Sequence, residues 1–119
     1  MDNTNWISNG IINNYINFNG QNEYAINPLT NSNSLSLISV QAWVNPTSYN
    51  SDARAVYFRP SSLGPGIELG INGNQAVFCV AGQAGVPGGG GGCVITGSQL
   101  LLNQWTHIMG TYNGIENKI

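Results

Sequence analysis

Apolar and polar residues alternate with a period of two along most of this chain, and no window keeps a helical period beyond a single turn, so the pattern predicts strands throughout. The first predicted strand is Tyr15-Ile16-Asn17-Phe18. Asn19-Gly20-Gln21-Asn22 then turns the chain into Glu23-Tyr24-Ala25-Ile26, because Asn-Gly supplies the positive φ of a tight hairpin, and Pro28 closes that strand. Between Thr30 and Ser36 the residues are Asn, Ser and Leu without a period, and they read as loop. In residues 36–44, Ile38, Val40, Ala42 and Val44 take one face while Leu37 and Trp43 take the other. Apolar groups on both faces predict a central strand, which Asn45-Pro46 ends. Residues 53–59 follow, with Val56 and Phe58 alternating against Ala55 and Tyr57 up to Pro60. The clearest hairpin comes next: Ile67, Leu69 and Ile71 run up to Asn72-Gly73-Asn74, and Ala76, Phe78 and Val80 return.

Residues 82–92 are glycine-rich. No Lys-Ser/Thr follows them, so they read as a loop between strands rather than a phosphate cradle. Cys93-Val94-Ile95 resumes the sheet. After Leu100 to Leu102, a strand through Trp105 to Tyr112 places Trp105, His107 and Met109 on one face and Ile108 and Tyr112 on the other. Asn113-Gly114 turns again, and a further strand begins before Ile119. Short strands punctuated by Gly, Asn and Pro predict an all-β, antiparallel sandwich or barrel.

Composition narrows the functions open to such a fold. At 119 residues the chain has room for a single small domain. Charged residues are 7% of it, against about 25% in ordinary soluble domains. The only cations are Arg54, Arg59 and Lys118, too few for binding to nucleic acid by counterion release or to an anionic membrane surface. No apolar run approaches the roughly 20 residues of a membrane span. Met1-Asp2-Asn3-Thr4-Asn5 is not a secretory signal, so either the natural N-terminus lies upstream or the protein leaves its cell by another route, such as virion release. Cys79 and Cys93 either form one disulfide or pack as two small buried thiols.

Several segments together resemble a known family. Phe18-Asn19-Gly20 with Glu23-Tyr24-Ala25-Ile26, Val40-Gln41-Ala42-Trp43-Val44-Asn45-Pro46, Gly66-Ile67-Glu68-Leu69-Gly70-Ile71, and Trp105-Thr106-His107-Ile108 through Gly110-Thr111-Tyr112-Asn113-Gly114 are similar, in that order, to the motifs of LamG-like jelly-roll domains of the concanavalin A-like lectin/glucanase superfamily. The resemblance implies an antiparallel two-sheet jelly-roll sandwich over residues 15–119, after an N-terminal extension of residues 1–14. Such domains continue beyond the Tyr-Asn-Gly turn with further strands. The expectation is therefore an incomplete sandwich, lacking its C-terminal strands and open to self-association or strand addition.

The residues available for chemistry are few. Glucanases of this fold use clustered carboxylates, but no two of Asp2, Glu23, Asp52, Glu68 and Glu116 lie within one strand, so an enzyme is not expected. His107 has no partnered Ser or Cys and is expected to pack or hydrogen-bond. Calcium is the candidate cofactor: Glu23 beside Asn22, and Asp52 near Asn50 and Ser51, are each placed to give one ligand, the alternative being solvated loop charges. For a carbohydrate, Tyr49 and Asn50 are the candidate ligand-binding residues, in the loop after Pro46. Trp43 and Trp105, in strand motifs, are expected in the core. The function expected is a non-catalytic recognition or adhesion module that binds glycans or protein surfaces outside the cell or on a virion. The alternatives are a structural component of a virion or filament, and a glucanase fragment that the sparse carboxylates disfavour.

Overall fold

A computed structural model describes residues 5–21, 23–25, 37–50, 52–58, 66–80 and 92–119. Within these the protein is all-β, in two compact units, residues 1–30 and 31–119. In the first unit, β1 (Asn5–Gly10) pairs antiparallel with β2 (Asn13–Asn17). The hairpin expected between residues 15–18 and 23–26 is not what forms. Asn19-Gly20 does turn, with Gly20 at φ 71°, the Asn19 side chain accepting from Gln21 N at 2.9 Å and Asn19 N donating to Glu23 at 2.7 Å. Residues 23–25 pair with no strand, however, and β2 runs back to β1 through Ile11-Ile12. Asn9 and Asn13 supply the positive φ at that turn (72° and 70°), a conformation that Asn tolerates better than most residues.

The second unit is a sandwich. One sheet has the order β4-β5-β6-β7, from β4 (Ala53–Phe58), β5 (Ile67–Asn72), β6 (Gln75–Val80) and β7 (Gly92–Gln99). The other has the order β3-β8-β9, from β3 (Ile38–Val44), β8 (Thr106–Tyr112) and β9 (Asn117–Lys118). All described pairings are antiparallel. The fold is an antiparallel two-sheet jelly-roll sandwich, as the motifs implied. The β5–β6 turn is short because Gly73, first of its two central residues, takes φ 60°, which a type II′ hairpin requires.

The core lies between the sheets. Ile67, Leu69 and Ile71 of β5, Ala76, Phe78 and Val80 of β6, Ile108 of β8 and Leu100 are buried, and Val40, Ala42, Val44, Val56 and Phe58 pack against them half-buried. These are the inward positions of the predicted alternation. Two expectations need correction. β3 is not central: among the described residues it lies at the end of the β3-β8-β9 order. Trp43 is not core, being 47% exposed on the face of β3 opposite Val40, Ala42 and Val44, while Trp105 is half-buried just before β8. The alternation that sends the aliphatics inward sends Trp43 outward. Ile26, Pro28, the loop between Thr30 and Ser36, and the glycine-rich segment up to residue 91 lie outside the described residues.

Cys79 and Cys93 form a disulfide. They are direct partners across β6 and β7, with Cα atoms 4.1 Å apart, so alternation puts both on the outer face of the four-stranded sheet.

Candidate functional site

The outer face of the β3-β8-β9 sheet is the most functionally suggestive surface of the second unit. Antiparallel register pairs Ser39 with Thr111, Gln41 with Met109 and Trp43 with His107, and these pairs alternate with the inward pairs Val40–Gly110 and Ala42–Ile108. Directly opposed residues of an antiparallel pair share a face, so a flat row of side chains stands on the solvent side. Within it, the Trp43 and His107 rings lie 5.1 Å apart, tilted by 46°. His107 Nε2 lies 3.0 Å from Gln41 Oε1. His107 thus packs on Trp43 and pairs with Gln41 on the exposed face of the strand. Gln41 was missed by the sequence reading, and its only signal there is its place two residues before Trp43.

The loop after β3 is tied to the segment before β8. Asn103 N donates to Pro46 O at 2.8 Å, and the Tyr49 hydroxyl donates to Leu100 O at 2.6 Å. Leu100 is buried, so this bond anchors the loop to the edge of the core and leaves the Tyr49 ring 41% exposed, followed by an exposed Asn50. Tyr49→Phe is expected to lower unfolding free energy by about 1 kcal/mol, because a part-buried carbonyl loses its donor. Urea denaturation checks this, and an unchanged midpoint would contradict the anchoring role.

Of the carboxylates singled out from the sequence, Asp52 and Glu68 meet on one guanidinium. Asp52, at φ 69°, pairs with Arg54 at 2.9 Å. Arg54 Nε also reaches Glu68 at 2.9 Å, and the guanidinium sits 5.1 Å from the centre of the Tyr57 ring. The hydrogen bond to Glu68, with further help from the charges of Glu68 and Asp52, raises the Arg54 pKa above its ordinary value. Glu23 belongs to the first unit, where its carboxylate accepts from Asn19 N. Glu116 pairs with Lys118 at 3.1 Å. Among the described residues no cluster of three or more His, Cys, Asp or Glu is placed to hold a metal.

Two antiparallel sheets closed over one apolar core define a β-sandwich. The chain belongs to the Concanavalin A-like lectin/glucanases superfamily, through the Laminin_G_3 family, which matches residues 13–119. Comparison with curated proteins and with solved structures finds no match.

Proposed function

We propose that the chain is a non-catalytic recognition module that binds carbohydrate on the outer face of the β3-β8-β9 sheet, with Tyr49 and Asn50 as a second contact from the loop. The observation that carries this reading is the half-exposed Trp43, held against His107 and flanked by the Gln41 amide. A sugar offers C–H faces to an aromatic ring and hydroxyls to amide and imidazole groups, and this row supplies both. Because Tyr49 has its hydroxyl bonded to Leu100, its ring is braced and ready to contact a ligand without further ordering.

The engagement of Asp52, Glu68 and Glu116 in ion pairs supports a non-catalytic role. Glycosidic cleavage needs an acid and a base or nucleophile facing each other across the bond, whereas Asp52 and Glu68 share Arg54, and Glu116 holds Lys118. The Cys79–Cys93 disulfide supports a setting outside the reducing cytosol, in keeping with an extracellular or virion surface.

Titration with a panel of neutral oligosaccharides tests the proposal. Trp43→Ala is expected to weaken binding about fivefold, since one aromatic contact is worth roughly 1 kcal/mol. Binding that is undiminished by this change, or absent from the whole panel, would overturn it. Capture of a protein ligand through the same tryptophan, with no sugar affinity, would replace carbohydrate by a protein surface.

A further inference from the structure

We infer that Asn72-Gly73, in the turn between β5 and β6, is a self-modifying site: the Asn72 side chain closes onto the Gly73 amide, loses ammonia, and leaves an aspartate or isoaspartate that loosens the turn. The inference stands apart from the recognition reading. It starts from the Asn-Gly steps of the chain, which are Asn9-Gly10, Asn19-Gly20, Asn72-Gly73 and Asn113-Gly114. Glycine has no Cβ to shield its amide nitrogen, and asparagine is among the thermally labile residues, so each step is chemically competent. The fold separates them, because ring closure needs a carboxamide free to swing and a following N–H outside any ladder. Asn113 is held hardest: its Oδ1 accepts from Ile115 N at 3.0 Å and from Glu116 N at 2.9 Å, and its Nδ2 donates to Glu116 at 3.4 Å. Asn19 Oδ1 accepts from Gln21 N at 2.9 Å. At the first step Gly10 is paired with Asn13, and a Cβ built on it would stand 3.1 Å from Asn13 O, so the approach to its amide is crowded.

Asn72 differs from all three. It is exposed, and among the described residues its side chain has no hydrogen-bond partner. Asn72 and Gln75 are the last pair of the β5–β6 ladder, so the Gly73 amide lies beyond it in the two-residue loop, and the space beside Gly73 is open. In the reaction the Gly73 nitrogen bonds to Cγ of Asn72 and the Cγ–Nδ2 bond breaks. Nδ2 leaves as ammonia, carrying the proton that the amide gave up. One water then adds across one of the two C–N bonds of the cyclic imide. Opening at the side-chain carbonyl gives aspartate, and opening at the main-chain carbonyl gives isoaspartate, in which Cβ has become part of the backbone. Nothing is oxidised or reduced. The lengthened backbone falls beside the core: Ile71 and its partner Ala76 are buried one step away, and Leu100 N donates to Asn74 O at 2.7 Å across the same turn.

The test ages the disulfide-bonded chain in warm, mildly alkaline buffer, where base drives the reaction, beside the same chain reduced and unfolded in guanidinium chloride. Peptide mapping by mass spectrometry reads the conversion of amide to acid at each Asn, and enzymatic methylation reads isoaspartate. In the unfolded chain the Asn-Gly steps should react at similar rates. In the folded chain Asn72 should react first, outpacing Asn19 and Asn113 by about fivefold or more, since each hydrogen bond that must break beforehand costs about that factor. The isoaspartate form, separated by anion exchange, should melt about 4–8 °C below the unaged chain. Asn72→Asp, which adds the charge without lengthening the backbone, should keep the unaged melt. Faster modification at any other Asn-Gly step of the folded chain, or an Asn72 that reacts only when the chain is unfolded, would overturn the inference. So would an isoaspartate form that melts with the unaged chain. Sugar affinity has no part in these outcomes, so the recognition reading stands or falls separately.

Discussion

Gly110→Ala is expected to destabilise the protein by about 3 kcal/mol or more, at or beyond the upper end of the cost of overpacking a core. Gly110 is buried on the inward face of β8, opposite Val40, and a Cβ built there would run into the ring atoms of Phe78 on β6. Among the described residues, Phe78 is one of the two largest fully buried side chains. Its ring has little room to withdraw, because Leu69, Ile71, Ile108 and Leu100 belong to the same closed cluster. The glycine is thus the slot that lets the aromatic ring of one sheet approach the backbone of the other. Small domains hold only about 5–15 kcal/mol in total, so a loss of this size shifts the urea midpoint by a large fraction. The control is Phe78→Leu, which costs stability alone but opens space beside Gly110. In the double variant the two costs should fall short of additivity by about 1–3 kcal/mol. Strict additivity would show that the ring and the glycine do not meet.

That contact also marks the boundary of what the sequence could tell. The β5–β6 hairpin is legible because Ile67, Leu69 and Ile71, then Ala76, Phe78 and Val80, alternate cleanly about a glycine that takes positive φ. The sandwich architecture follows from repeated segments of the same kind. Trp43 misleads because tryptophan is buried on average, and this general tendency conflicts with the local alternation of Val40, Ala42 and Val44. In the fold the alternation wins, because a strand cannot turn neighbouring side chains to one face. The β1–β2 hairpin is illegible for a different reason. Its turn runs through Ile11-Ile12 and relies on Asn9 and Asn13 for positive φ, and in a chain so rich in Asn neither residue stands out as a signal. The candidate site depends on pairing across distance. Gln41 and His107 are 66 positions apart and meet only because β3 lies beside β8 in one particular register, where a slip by one residue would turn Trp43 into the core.

Breaking the Cys79–Cys93 bridge, by thiol reductant or by the double Cys→Ser variant, is expected to lower stability by about 3 kcal/mol while leaving the sandwich folded. The size follows from loop closure: the cysteines are 14 residues apart, and a bridge closing a loop of about 15 residues removes roughly that much freedom from the unfolded chain. At about 4–8 °C per kcal/mol in a unit of this size, the melting temperature should fall by about 12–24 °C. The fold survives because β7 is held at other points. Gln75 Nε2 donates to Thr96 O at 2.6 Å, Ala76 N donates to the Thr96 hydroxyl at 3.1 Å, and Asn117 Nδ2 donates to Gly92 O at 2.6 Å. Phe78 faces away from the bridge, into the core, so its packing is not disturbed. The weakening should accordingly concentrate in β7. In hydrogen exchange its amides should lose protection before those of β5 and β6, since partial opening of a strand next to one still buried needs less free energy than global unfolding. Mass spectrometry should find two hydrogens gained on reduction. An unchanged melt after confirmed reduction would show that the strand pairing alone carries this edge of the sandwich, and uniform loss of protection across β5, β6 and β7 would make the bridge a support of the whole core.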